Sequence, residues 1–296
     1  MRNGSALSVG LALATLYLVW GSTYLAIRFV VEAELPLLWT ASVRFALAGG
    51  LMIGGAVARG AVRPTRAQLG NAFVAGGLMF VGSNALVMAG QTHIASGMAA
   101  LLVALTPVWI ALFDAARGER PGALRGLGVV LGLVGVGVLL DPRGAVDPLG
   151  AGEVIAASLC WSLGTVWSRL RPMPKDAVLS AGLQMASASV MLAPAGLLLG
   201  EHWPATFTTT GVLAFLWLLL GGSIVGYGSY TWLLQVTRPA IATTYAYVNP
   251  LVAVILGALL AHEELSLRSV VGGAVILSGV AAITLDRPPP AAAATR

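Results

Sequence analysis

Thr243-Thr244-Tyr245-Ala246-Tyr247-Val248-Asn249-Pro250-Leu251-Val252-Ala253-Val254 lies inside an apolar segment running from about Ala240 to Ala261. At about 1.5 Å per residue, such a segment is long enough to cross a bilayer as a helix. Pro250 sits near its middle, where it removes a backbone donor and frees an upstream carbonyl that lipid cannot satisfy. Two readings stand. The broken ladder, with two tyrosines and an asparagine beside it, faces a polar cavity; or Pro250 is a packing kink of the kind common in membrane helices. A second copy favours the first reading. Gly97-Met98-Ala99-Ala100-Leu101-Leu102-Val103-Ala104-Leu105-Thr106-Pro107, roughly half a chain earlier, puts another proline at the matching depth.

The composition around these stretches is that of a polytopic membrane protein. Of 296 residues, 57% are hydrophobic and 10% charged, against about 25% charged in a soluble domain; the mean hydropathy is +0.87. The net charge of +5 does not indicate nucleic acid, because the arginines fall between apolar runs and form no cluster with aromatics. The single cysteine, Cys160, can form no internal disulfide, and its default role is packing. The N-terminal apolar run continues through Trp20 and Tyr24 to about Val31, too long for a signal-peptide core.

Apolar runs bounded by charges, Pro or polar clusters predict ten transmembrane helices and an all-α integral membrane fold. They lie at about 8–31, 36–58, 69–90, 94–116, 124–140, 149–169, 177–200, 211–234, 240–261 and 269–285. One set of connections and termini holds Arg2, Arg59, Arg63, Arg66, Arg117, Arg120, Arg125, Arg169, Arg171, Lys175, Arg238, Arg287 and Arg296. The opposite set holds only Arg143 and Arg268, so both termini are expected to be cytoplasmic.

The halves repeat. Tyr17-Leu18-Val19-Trp20-Gly21-Ser22 through Arg28 matches Leu159-Cys160-Trp161-Ser162-Leu163-Gly164 through Arg169, pairing Trp20 with Trp161 and Arg28 with Arg169. Pro107 pairs with Pro250 and Arg125 with Arg268 at nearly the same offset. The expected organisation is a first five-helix repeat over 1–143, a second over 144–286, and a disordered tail over 287–296. Five helices per repeat make the second copy enter the membrane from the other side, an inverted topology suited to alternating access.

Trp20-Gly21-Ser22-Thr23-Tyr24-Leu25-Ala26-Ile27-Arg28, then Arg44-Phe45, then Thr244 to Pro250 followed by His262-Glu263-Glu264, form an ordered set spanning nearly the whole chain. The set resembles the drug/metabolite transporter superfamily, and more narrowly its EamA-type branch of bacterial exporters, with the YedA-like and YddG-like proteins. The resemblance implies ten helices in two inverted repeats within the bacterial inner (plasma) membrane. It also implies a central cavity lined by the first, third, fourth, sixth, eighth and ninth helices. Characterised YddG-like members export amino acids, notably aromatic ones. Substrates vary across the family, so transport carries over better than substrate does.

The substrate-binding candidates are Trp20, Asn84, Thr106, Pro107, Trp109, Trp161, Tyr227, Tyr230, Tyr245, Asn249 and Pro250. Tryptophan prefers the membrane interface, so Trp20 and Trp161 near mid-span are either an aromatic wall for substrate or helix packing. Asn84, Tyr227, Tyr230, Tyr245 and Asn249 add polar atoms at similar depth, which either a neighbouring helix or a substrate satisfies. Trp109 belongs near the cavity floor. Thr106-Pro107 and Asn249-Pro250 are expected to offer carbonyls and partial helix dipoles to a zwitterion. Arg28 and Arg169 are candidate gate elements. Arg44, the deepest arginine, is expected to bond helix-end carbonyls, Glu32 or Glu34.

No Asp or Glu lies near a span centre, which argues against an exchanger for cationic drugs and for a facilitator or another coupling route. No cofactor or metal is expected. Gly126-Leu127-Gly128 follows no strand, and a His-Glu-x-x-His helix is missing. Ile94-Ala95-Ser96-Gly97 only weakly resembles the serine motif of membrane proteases, and all three histidines lie at connections. The expectation is a secondary transporter, not an enzyme, exporting small metabolites, foremost aromatic or apolar amino acids. Drugs, sugars or nucleosides are the alternative. Its partners are that small molecule and the lipid bilayer, and two complete halves in one chain let it act as a monomer.

Overall fold

Helix starts in this chain are written by polar residues at the ends of apolar runs. In the computed structural model, which describes residues 5–118, 122–140, 146–237, 241, 244–264 and 266–285, Ser5, Asp147, Asp176 and Thr208 each accept a backbone N–H at a helix start. Thr65 and Gln68 form a reciprocal capping box. The helices are α1 Ala6–Glu32, α2 Leu37–Ala58, α3 Arg66–Gly90, α4 Ser96–Ala116 and α5 Ala123–Leu139. Then follow α6 Pro148–Leu170, α7 Ala177–Leu198, α8 from Thr209 to Val236, α9 Tyr245–Leu260 and α10 Leu267–Leu285. Eight stretches are long and apolar enough to cross a membrane; α5 and α9 are apolar but shorter, at 17 and 16 residues. No strand occurs among the described residues. The expected tail 287–296, Arg143 and Arg238 lie outside the described residues.

Three helices depart from regular α geometry. α3 is π-helical over Gly77–Gly82 and α8 over Trp217–Gly226, at corresponding places in the two halves. α4 ends its first segment at Val103, turns through Ala104-Leu105, and restarts at Thr106 with Pro107 as its second residue, where a missing N–H does no harm. α9 instead runs unbroken through Pro250.

Glycines set the closest helix crossings. A Cβ on Gly49 of α2 would lie 2.8 Å from the Gly182 carbonyl oxygen of α7. Gly128 and Gly135 of α5 meet the carbonyls of Gly279 and Gly272 of α10 in the same way. α1 packs against α8 and α9, while α6 packs against α3 and α4. Adding five to each helix number of the first half therefore maps this packing onto itself. The match is incomplete: α4 packs on α10, with no comparable packing of α9 on α5 among the described residues. α1 also packs on Ser96–Val103 of α4, whereas α6 and α9 have no comparable packing among the described residues.

Candidate functional site

The bundle centre is built from aromatic rings. Trp20 of α1 lies 5.8, 5.4 and 5.0 Å, centroid to centroid, from Tyr227 and Tyr230 of α8 and Tyr245 of α9. Tyr230 and Tyr245 meet edge to face at 5.6 Å. Phe80 of α3 extends the run, 5.8 Å from Tyr227, 5.9 Å from Trp161 of α6 and 5.2 Å from Phe45 of α2. Offset and edge-to-face pairs at these separations each add about 0.5–1.5 kcal/mol beyond the area they bury. Five of the eleven sequence candidates, on four helices from both halves, thus converge. Tyr247 falls in a different cluster, with Ala246 and Val254.

The π-helical segments frame this run. A π turn leaves carbonyls poorly matched to the i−4 ladder, and side chains bond them instead. Trp20 Nε1 donates to the Gly222 carbonyl at 3.0 Å. Ser223 Oγ donates to the Leu218 carbonyl at 3.1 Å, and Asn84 Nδ2 to the Met79 carbonyl at 3.3 Å. Arg44 ties the α8 segment to the residue just past the α3 one, Nε donating to Ser223 Oγ at 2.9 Å and Nη2 to Asn84 Oδ1 at 3.4 Å. Its partners are thus a hydroxyl and an amide, not the expected Glu32 or Glu34. Glu32 pairs with Arg28 on the same helix at 2.6 Å.

The proline sites differ from one another. At the α4 turn, Thr106 Oγ1 donates to the Val103 carbonyl at 2.9 Å and the Thr106 carbonyl accepts Ser162 Oγ at 3.1 Å, so side chains take up the freed backbone groups. Trp109 Nε1 donates to Ser158 Oγ at 2.8 Å, tying α4 to α6. Asn249 and Pro250 are buried against α1 at Gly21, whose added Cβ would sit 3.2 Å from the Asn249 carbonyl oxygen. Asn249 Oδ1 is buried with no hydrogen-bond partner among the described residues.

Three polar structures escaped the sequence reading. Asp114, its side chain 1% exposed, is bonded by Arg169 of α6 and, at 3.3 Å, by Arg125 of α5, joining three helix ends. Glu263, in the α9–α10 connection, accepts the backbone N–H groups of Ser96 at 2.7 Å and Gly97 at 3.0 Å, because the N-cap of α4 is Ala95 and has no acceptor side chain. Glu201 does the same for Leu38 and Trp39 behind Pro36. Each acid sits far in sequence from the helix it serves, so spacing gave no signal; the acceptor-free N-caps at Pro36 and Ala95 were the only clue. A cleft of about 630 Å³ beside Glu263, lined also by His93, Met98, Leu101, Leu251 and Leu277, lies apart from the aromatic run.

The chain matches the EamA-like transporter family twice, over residues 7–140 and 149–285. It is 35% identical over 290 residues to the Escherichia coli K12 protein named uncharacterized inner membrane transporter YedA, covering 97% of this chain and 94% of that one. It is 26% identical over 266 residues to protein PecM of Dickeya dadantii, covering 88% and 87% respectively. A solved crystal structure shares the fold with a TM-score of 0.63 at 23% identity, over 94% of this chain and 96% of that one. With the family matched in both halves and an all-helical membrane bundle built around one aromatic junction, the chain is a multi-pass membrane protein that belongs to the EamA-like transporter family.

Proposed function

We propose that this protein is a secondary transporter of the bacterial inner membrane that exports small metabolites, foremost amino acids with aromatic or apolar side chains. The substrate site is the junction of Trp20, Trp161, Tyr227, Tyr230 and Tyr245, where rings from both halves meet and offer π faces to an apolar side chain. That convergence carries the reading. Asn84, Thr106, Trp109 and Asn249 complete the lining, and a name containing inner membrane transporter on a 35% identical relative supports the location.

The mechanism we infer is alternating access between two inverted five-helix repeats, 1–143 and 144–286, with both termini cytoplasmic and one chain sufficient. The n to n+5 packing match and the corresponding π-helical segments support the repeat. The α1–α4 contact supports a direction. α1 closes on the first half of α4, at the end that the arginine distribution assigns to the outside. The described conformation is then outward-closed.

Purified protein in liposomes, loaded with radiolabelled amino acids and sampled with and without a proton gradient, tests the proposal. Saturable efflux of tryptophan or phenylalanine, abolished in a Trp20→Ala, Tyr230→Ala double variant, is expected. Efflux absent for every amino acid removes the substrate class; efflux of sugars or nucleosides alone selects the alternative.

A further inference from the structure

Arg44 and Asp114 are the two side chains of Arg, Lys, Asp or Glu that are buried among the described residues. Asp114 lies between two arginines. Arg44, 8% exposed, has no carboxylate within ion-pair distance among the described residues, only Ser223 Oγ, Asn84 Oδ1 and the Phe45 ring 4.6 Å from its central carbon. A guanidinium has five N–H donors. Two are used here, and Nη1 has no hydrogen-bond partner among the described residues. Neutral oxygens orient such a cation but do not cancel it, and an uncompensated charge inside a membrane bundle is costly.

The two acceptors are themselves fixed. Ser223 spends its proton on the Leu218 carbonyl and Asn84 spends an amide proton on the Met79 carbonyl, so both turn an oxygen toward Arg44. The planar cation is therefore held at a defined place. Beside it, Phe45 opens the run of rings through Phe80 and Tyr227 to Trp20. A cation with spare donors at one end and a buried run of aromatic rings beyond it form a bipartite arrangement. It matches a molecule with a carboxylate head and an aromatic or apolar body.

We propose that Arg44 is the anchor for the carboxylate of the transported molecule, with Ser223 and Asn84 as its positioning residues. This rests on the export reading above and deepens it: the carboxylate, not the amine, is the group the site selects. A bare structural clamp between α3 and α8 needs hydrogen bonds but no net charge, so the unbalanced charge is what points to an anionic group on the ligand.

The test uses the full chain, purified in nanodiscs, with intrinsic tryptophan fluorescence as the readout and three probes: phenylalanine, 3-phenylpropionate and phenylalaninamide. The two carboxylates are expected to bind within about tenfold of one another. The amide should bind at least about thirtyfold more weakly, the usual consequence of leaving one partner of a buried charge pair alone. Arg44→Gln should weaken both carboxylates by at least that factor while leaving the amide unchanged, with Arg44→Lys recovering part of the loss. Ser223→Ala, which keeps the charge but loosens its position, should weaken the carboxylates a few-fold and spare the amide. Equal wild-type affinity for acid and amide overturns the anchor and leaves the amino-acid reading standing. So does an equal loss of all three probes in Arg44→Gln and Ser223→Ala. Failure of the wild type to bind any probe overturns both.

Discussion

Glu263 accepts the backbone N–H of Ser96 at 2.7 Å, so a carboxylate from the α9–α10 connection supplies the cap that α4 lacks. A second oxygen takes the Gly97 N–H, and the positive helix end favours the negative charge. His262, at φ 52°, adopts the left-handed turn that brings the carboxylate round. A Cβ on Gly257 would lie 2.4 Å from Glu263 Oε2, so that glycine makes the room.

This contact predicts a coupled pair. Glu263→Ala should cost about 1–2 kcal/mol, the usual range for a lost cap. Gly257→Ala should cost a similar amount by displacing the carboxylate. The double variant should lose clearly less than the sum, because the first substitution removes what the second collides with. Thermal unfolding of the detergent-solubilised protein measures all three; strict additivity contradicts the account.

On the alternating-access proposal, opening the outer side requires the first half of α4 to leave α1, and the Glu263 cap holds that half down. A cysteine at Met98, in the adjoining cleft, should therefore react faster with an impermeant maleimide in the Glu263→Ala background than in the parent. An unchanged rate in intact cells argues that the cap has no part in gating.

Asp114 predicts a larger stability loss. Asp114→Asn removes the negative charge between Arg125 and Arg169, and breaking a buried pair costs about 3–5 kcal/mol. Arg169 and Arg125 are 47% and 27% exposed, which lets water screen what remains. A loss of about 2–3 kcal/mol is expected, read as a lower unfolding midpoint. Asp114→Glu should recover only part of it.

Trp20 has two jobs that substitution separates. Trp20→Phe keeps a ring near the three tyrosines but loses the Nε1 donor to the Gly222 carbonyl, worth about 1 kcal/mol. Transport should persist with a several-fold lower maximal rate, whereas Trp20→Ala should raise KM as well. Counterflow of radiolabelled substrate distinguishes the two; equal defects would show that the ring contributes nothing beyond the indole hydrogen bond.

The α1–α9 contact predicts an asymmetry between glycines on one helix. A Cβ on Gly21 would lie 2.6 Å from Val252 Cβ, so Gly21→Ala should lower both stability and transport. Gly10→Ala, with nothing within 4 Å, should do neither. Pro250→Ala should leave transport nearly unchanged, because α9 is already helical through that position. A large transport loss in Pro250→Ala would restore the carbonyl reading of this stretch.

What the sequence disclosed, and what it hid, follows from range. Span positions came from apolar runs of bilayer length, and the structure places helix ends within about a turn of them, because hydrophobic length is a local property. Trp20 and Trp161 were legible as mid-span tryptophans at one repeat offset, and the tyrosines only as polar atoms at similar depth; that they meet was not. Phe45 and Phe80 were not singled out, since phenylalanine is unremarkable in an apolar helix. The π-helical segments carried no local marker beyond Gly-rich composition. The Arg44 partners were missed for a related reason: Ser223 and Asn84 lie 179 and 40 residues away, and only the folded bundle brings them to one place.

The π-helical segments of α3 and α8 each carry surplus backbone within a turn. Moving that surplus along the chain turns each residue it passes by about 100° about the helix axis while the helix on either side keeps its place. Gly77 and Gly82 bracket the segment in α3, and Gly221, Gly222 and Gly226 lie within its counterpart in α8. Side chains at such positions offer little resistance to the slide. A rotary click of this kind would re-aim Asn84 or Tyr227 at a fixed helix position, an economy of motion that whole-helix tilting does not provide.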